Sequence, residues 1–437
     1  MTSRREFLKQ TAIACGAVVA GSGCQRLANH LATTQPETPE KKSAVRNLKH
    51  PVAIAMWDFS WLLRRHPNGG FEDWDLALDE LAERGYNAVR IDVFPHLVAL
   101  AGSKEIPERV TFKGDPSGYR LWGNDVDVTV NPREALLEFI PKCRKRGIYV
   151  DASTWFCDPS NIVEKVPEVK EFNGFVKVWS ETLDFMDSNG LLNNILFIDL
   201  LNEYPYWNGF NWLKQEAKAA ANKTADKSGK VGEAHIQDGR DPGLSDAERA
   251  FYKQFSTDVL KYFRTQRPQY DFTLSITAAW DNFHPDLNCD MSSMDVYDMH
   301  MWFSQCPGIT NFELPKAARS MTPAELEAYY AILKKTWKEK REGLINWTDQ
   351  RFGMYAKAAR QHNAILGNTE GWGAVCWDDV EPLDWNFIKE AGEISVELAI
   401  KHNYRFICTS NFTHPHFKRL WADTAWHKSL TQRIRNA

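Results

Sequence analysis

From Pro51 onward the chain alternates between two hydrophobic patterns. Short runs rich in β-branched and aromatic residues occupy Val52–Trp57, Ala88–Phe94, Ile148–Thr154, Ile195–Leu201, Phe272–Thr277, Val296–Met301, Ala364–Asn368 and Phe406–Thr409. Runs of this length and composition predict buried strands. Between them, amphipathic stretches cover Asp73–Arg84, Arg133–Arg146, Phe175–Asn189, Ala247–Arg267, Pro323–Lys340, Thr348–His362 and Phe387–His402. Their apolar spacing predicts helices. Strands that alternate with helices pair in parallel through crossovers. Eight such units predict a closed (β/α)8 barrel of the TIM type with long loop insertions. An open doubly wound sheet is the alternative, but the Gly-x-Gly-x-x-Gly turn expected after its first strand is missing.

Two details sharpen this picture. Helices end in a basic residue and a glycine just before a strand, as in Arg84-Gly85 and Arg146-Gly147, where glycine supplies a left-handed stop. Polar and aromatic residues crowd the positions just after the strands: Asp58-Phe59-Ser60-Trp61, Pro95-His96, Trp155-Phe156, Asn202-Glu203, Trp280-Asp281-Asn282, His300 with Trp302, Glu370 and Asn411. In a barrel all of these share the rim where active sites sit. Two polar stretches, from Lys214 to Asp246 and from Phe303 to Met321, read as loop excursions.

Ahead of the barrel the pattern breaks. Ser3-Arg4-Arg5-Glu6-Phe7-Leu8-Lys9 matches the twin-arginine export pattern, and the apolar stretch from Thr11 to Ala20 is too short to span a bilayer. Gly21-Ser22-Gly23-Cys24 resembles a lipoprotein cleavage box, with Gly where Leu is usual. Cys24 is therefore the candidate for lipidation and membrane attachment, with plain cleavage nearby as the alternative. The organisation expected is a signal over 1–24, a flexible polar linker over 25–49 and the barrel over 50–437, exported to the periplasm or cell surface. A net charge of −4 without a basic stripe points away from nucleic acid. The remaining cysteines, Cys143, Cys157, Cys289, Cys306, Cys376 and Cys408, are scattered without CxxC or paired His spacing. No metal or cofactor is therefore expected.

Seventeen tryptophans, many in short polar contexts, suggest flat aromatic walls. An indole stacks on the C–H face of a sugar ring while the sugar hydroxyls seek polar partners. Trp57, Trp61, Trp122, Trp155, Trp207 and Trp280 are candidates for such walls, with core packing the alternative for each.

Cleavage of a glycosidic bond needs two carboxyl groups, one protonated and one ionised. Glu203 follows the fourth predicted strand in Asp199-Leu200-Leu201-Asn202-Glu203-Tyr204-Pro205, and Glu370 follows the seventh in Gly367-Asn368-Thr369-Glu370-Gly371-Trp372. At these two places the sequence resembles the (β/α)8 retaining glycosidases of the clan that includes the cellulases and mannanases of glycoside hydrolase family five. The resemblance implies that Glu203 is the general acid/base and Asn202 a ligand of the sugar hydroxyl beside the reacting carbon. It implies that Glu370 is the nucleophile, held by Arg90 at the end of the second strand, and that His300 after the sixth strand reaches the substrate. It also implies a β-linked poly- or oligosaccharide as substrate.

The chain departs from that pattern in three places. Asp151-Ala152-Ser153-Thr154-Trp155 stands where a third-strand His is common, and Trp302 stands where a Tyr often supports the nucleophile. Thr409-Ser410-Asn411-Phe412 replaces the usual stacking Trp, leaving Trp372 or Trp377 as substitute platforms. A non-catalytic carbohydrate-binding lipoprotein on the same barrel is the competing reading. A metal-dependent hydrolase built on Asp378, Asp379 or His414-Pro415-His416 is a third, without recognisable ligand spacing.

Overall fold

The computed structural model describes residues 43–437 except 105, 116–122, 158–168, 206–210, 229–243, 278–288, 307–308, 310–317, 374–378 and 382–383. Its strands are β1 (Val52–Asp58), β2 (Ala88–Asp92), β3 (Val110–Phe112), β4 (Val128–Val130), β5 (Tyr149–Ser153), β6 (Ile195–Asp199), β7 (Phe272–Thr273), β8 (Ile276–Thr277), β9 (Val296–His300), β10 (Ile365–Gly367) and β11 (Phe406–Cys408). Strands β11-β1-β2-β5-β6-β7 form one parallel sheet and β8-β9-β10 another. The two sheets meet at both edges. β7 and β8 are halves of one predicted strand, interrupted at Leu274-Ser275. At the other edge Arg405 N–H donates to the Leu366 carbonyl at 2.7 Å, and Asn368 N–H to the Phe406 carbonyl at 2.9 Å. The result is the (β/α)8 barrel, each predicted strand holding its place within one or two residues. The short antiparallel hairpin β3-β4 lies outside that pattern.

The helix boundaries follow their caps. Asp73 accepts from the amides of Asp75 and Leu76 at the start of helix Trp74–Glu83. Gly85 ends the turn after it with φ +85°, and a Cβ there would lie 2.3 Å from Thr431 Oγ1, so the stop also gives the C-terminal helix Thr424–Arg435 room to pack. Two predicted helices, Pro323–Lys340 and Thr348–His362, are one helix over Pro323–His362. Leu333, Trp337, Leu344, Trp347 and Arg351 continue one buried stripe across the join, so the helix runs on through Gly343. The stretch from Lys214 to Asp246 is likewise not all loop. Its Ala-rich beginning belongs to helix Asn211–Ser228, and a Ser245–Glu248 capping box opens helix Asp246–Gln266.

The interior of the barrel is layered. At its lower end Ile54, Ala88, Phe197, Val296 and Phe406 pack with Val45, which reaches them from ahead of β1. Ser43 Oγ accepts from Asp271 N–H at 2.8 Å, Arg46 pairs with Asp271 at 2.7 Å, and Arg405 donates to the Leu48 carbonyl. Residues from Ser43 onward therefore pack as part of the barrel domain. Above the apolar layer, strand alternation brings Arg90, Asp151 and Asp199 inward.

Candidate active site

Arg90, fully buried on β2, organises the centre of the barrel. Its Nη1 donates to Glu370 Oε2 at 2.8 Å; its Nη2 donates to Asn202 Oδ1 and, at 3.2 Å, to Ser153 Oγ. Asp58, Asp151 and Asp199 lie 3.5, 3.7 and 3.9 Å from the same guanidinium. One cation thus faces four carboxylates, and their charge holds Arg90 well above its ordinary pKa despite burial. A single arginine fork reaches both the Asn202-Glu203 segment after β6 and the Glu370 segment after β10.

His300 at the end of β9 ties the two glutamates together. Its Nδ1 lies 3.1 Å from Glu203 Oε1 and 3.3 Å from Glu370 Oε2. On the other side Nε2 meets Thr369 Oγ1 at 3.2 Å and Asp298 Oδ2 at 3.5 Å. Asp298 also accepts from Thr369 N–H at 2.9 Å, which fixes the residue just before Glu370. The charges of Glu370 and Asp298 outweigh burial and raise the His300 pKa well above its usual value, which favours the protonated ring.

Both glutamates are nearly enclosed, Glu203 at 5% and Glu370 at 2% exposure, and burial raises the pKa of each. Their surroundings differ. At Glu203 the Glu370 charge is the largest influence after burial and adds to it, with His300 and Arg90 opposing; at Glu370 the His300 and Arg90 cations come first after burial and oppose it, with Asp58 adding. This asymmetry favours the proton on Glu203 and the charge on Glu370. Glu203 has left-handed backbone with φ +46°, and its amide donates to Ser275 Oγ at 2.9 Å, which uses the break between β7 and β8.

One ligand atom each from Glu203, His300 and Glu370 can be chosen within 4.8 Å of one another, close enough to consider a metal. The electrostatics fit another arrangement, in which Arg90 binds Glu370 and the His300 ring, its pKa raised, lies between the two glutamates. Of the other metal candidates, Asp379 is engaged by Arg419 and by Trp385 Nε1, and Asp378 lies outside the described residues.

With this geometry in view, the comparisons are specific. The family described as sugar-binding cellulase-like matches residues 54–435. The chain belongs to the cellulase-like family. It is similar to the crystal structure of a candidate glycoside hydrolase from Parabacteroides distasonis, with 29% identity, 88% of this chain and 94% of that chain covered, and a TM-score of 0.70. Also similar are an endoglucanase (15% identity, 87% and 99% covered, TM-score 0.46) and a hyperthermophilic endo-β-1,4-glucanase (12%, 84% and 91%, 0.44). Among curated protein sequences none matches the chain.

The tryptophans of this cellulase-like barrel divide by environment. Trp57 and Trp61 are fully buried and donate to the carbonyls of Thr413 and Asp92, so both are core. Trp372, expected as a platform, donates to the Cys408 carbonyl at 3.1 Å and packs edge-on against Phe352 of the long helix. Trp372 is 2% exposed and belongs to the hydrophobic core. Trp302 follows β9 at 6% exposure. Trp155 alone of the described wall candidates is partly exposed, and its Nε1 donates to Asp58 Oδ2 at 2.9 Å. Trp122, Trp207, Trp280, Trp377 and Cys24 lie outside the described residues.

Sequence reasoning missed Asp298, Ser275 and Thr369 as parts of the site and placed Asp58 and Asn411 on the rim without giving them roles. Asp298 carried a usable signal, since it lies two residues before His300 and so shares its face of β9. Ser275 carried none, because its part depends on where β7 breaks.

Proposed function

We propose that this protein is an exported retaining glycoside hydrolase acting on a β-linked poly- or oligosaccharide. In this reading Glu203 is the general acid/base and Glu370 the nucleophile. The observation that carries it is the approach of the two carboxylates, one oxygen of each lying within 4.8 Å of the other. Retaining enzymes hold their carboxyl groups about 5–5.5 Å apart, whereas inverting enzymes need about 6.5–9.5 Å to seat a water between them. Glu370, kept ionised by Arg90 and His300, attacks the anomeric carbon while Glu203 protonates the departing oxygen. Glu203 then takes a proton from water, which displaces Glu370 and restores the starting configuration. Asn202, with its Oδ1 held by Arg90, would turn its amide N–H toward a sugar hydroxyl. Export by the twin-arginine route and attachment through lipidated Cys24 complete the proposal, on the motifs alone.

The two glutamates can be told apart by rescue. Glu370→Ala is expected to lose turnover on every substrate, and azide should restore a product of inverted configuration. Glu203→Ala should lose most on natural glycans and least on aryl glycosides with good leaving groups. Those should form the glycosyl-enzyme and stall until azide releases a product of retained configuration. Rates and product anomers with and without azide are the measurement. Equal losses on both substrate types, with no azide effect in either variant, would refute the assignment.

A further inference from the structure

Asp58 takes no part in the reaction as described, yet the fold goes out of its way to present it. It ends β1 at a bulge, where pairing with β2 shifts register between Met56 and Asp58, and its backbone is left-handed with φ +40°. Bulges and left-handed non-glycine residues beside a site re-aim a side chain at some cost in stability. One carboxylate oxygen, Oδ2, accepts from Trp155 Nε1 at 2.9 Å. The other, Oδ1, is buried without a hydrogen bond, its nearest cation being Arg90 Nη1 at 3.5 Å, the nitrogen that holds Glu370.

Asn411 is its counterpart on the neighbouring strand. β11 pairs with β1 in the register Ile54↔Cys408, so Asn411 and Asp58, three and four residues further on, leave the barrel at the same rim. Asn411 is fixed to the residue after Glu370 in both directions. Its amide N–H donates to the Gly371 carbonyl at 2.9 Å, and its Oδ1 accepts from Gly371 N–H at 2.5 Å. Because a backbone N–H can only donate, the side-chain amide is not free to flip, and Nδ2 must face away from Gly371. That Nδ2 is fully buried and has no partner.

A buried donor and a buried acceptor without hydrogen bonds are uncommon and ask for a ligand. Here Asn411 is held to the residue after the proposed nucleophile, and Asp58 lies beside the arginine nitrogen that binds it. We propose that Asp58 and Asn411 form a hydroxyl-reading wall for the sugar whose anomeric carbon faces Glu370, and that they restrict this position to neutral sugars. Asp58 Oδ1 would accept from one hydroxyl and Asn411 Nδ2 would donate to the same or the adjacent one. The half-buried indole of Trp155, tethered to Asp58, would border the same ring. A hexuronate would bring a further carboxylate against the buried Asp58 carboxylate, whose nearest cation, Arg90, is already shared with Glu370. The inference rests on the glycosidase reading of the site and adds its substrate class.

The test pairs changes in the substrate with changes in the wall. Wild type, Asp58→Asn, Asp58→Ala and Asn411→Ala are assayed on 2,4-dinitrophenyl β-glycosides of neutral hexoses, their monodeoxy analogues and the matching hexuronides. The wild type should prefer one neutral hexoside over its hexuronide at least 100-fold in kcat/KM. One monodeoxy analogue should fall roughly 10- to 100-fold, the effect of losing a hydrogen bond to a charged group. In both Asp58 variants that deoxy penalty should shrink toward one, and Asp58→Asn should narrow the hexuronide gap. A merely structural role would lower all substrates together and leave the ratios intact. An active wild type whose ratios survive every variant overturns the wall but not the hydrolase. If the wild type cleaves no glycoside, the hydrolase reading falls instead. The wall is then decided by calorimetric titration of cellotetraose and mannotetraose. A tenfold weaker affinity in Asp58→Asn supports it; equal affinity, or no binding to wild type, overturns it.

Discussion

At the scale of single residues, Arg90 carries the most consequence. The resemblance gives it the role of partner to the nucleophile, and the structure gives it that contact together with structural ion pairs. It holds Glu370 and Asn202, and it is the nearest cation to Asp58, Asp151 and Asp199 inside the barrel. Arg90→Ala should therefore lower stability as well as turnover, by about 3–5 kcal/mol at neutral pH, as expected when a buried ion pair loses one partner. The pH dependence has a definite sign. Arg90 lowers the pKa values of Asp58, Asp151, Asp199 and Glu370, all of which burial raises, so without it they climb further. A carboxylate whose folded pKa exceeds its unfolded one contributes stability at low pH and loses it as pH rises through the folded value. For Asp58 that loss spans the ordinary 3.8 to about 6 in wild type and would extend upward in the variant. Urea unfolding should show a larger gap between wild type and Arg90→Ala at pH 8 than at pH 5. The same gap at both values would count against this electrostatic account.

At the scale of elements, two glycines test what packing decided. Gly343 sits inside the long helix Pro323–His362, and a Cβ there would meet nothing within 4 Å. Gly343→Ala should stabilise the protein by about 0.5–1 kcal/mol, the helix-propensity difference. Gly367 sits in β10 where the barrel closes on β11, and a Cβ there would lie 2.4 Å from the ring of Phe406. Gly367→Ala should destabilise by about 1–3 kcal/mol, because neither the ring nor the strand can yield without opening the closure. Denaturant midpoints of the two variants should move in opposite directions. Movement in the same direction would mean that the long helix is broken at Gly343 or that the closure is looser than described.

At the scale of the whole molecule, the two ends of the barrel have separate tasks. The chain enters at the lower end, where Val45 and Arg46 fasten it, while Glu203, His300 and Glu370 gather at the opposite rim. Export is tested by replacing Arg4 and Arg5 with Lys, which should hold the precursor in the cytoplasm. Cys24→Ala should then release the exported protein from the membrane fraction with its activity intact. Normal export of the double variant would argue against the twin-arginine route, and a Cys24→Ala protein that still partitions into detergent would argue against the anchor.

The linear chain by itself determined the eight barrel strands, their order and the glycine stops at Gly85 and Gly147, because these depend on local periodicity and on backbone conformations that only particular residues favour. It also placed Glu203, Glu370, Asn202 and His300 at or just after strand ends, since a parallel barrel sends every such end to one rim, whereas Arg90, expected at the end of the second strand, lies in the middle of β2. Only the tertiary structure decided which side chains share a hydrogen. That Arg90 spans Asn202 and Glu370, that Asp298 backs His300, and that Ser275 reaches Glu203 through a broken strand are facts of closure, set by registers between strands far apart in sequence. The tryptophans show the same division. Trp57, Trp61, Trp155 and Trp372 look alike as letters after or within strands, and only the neighbours supplied by folding separate a core indole from one that borders the cleft.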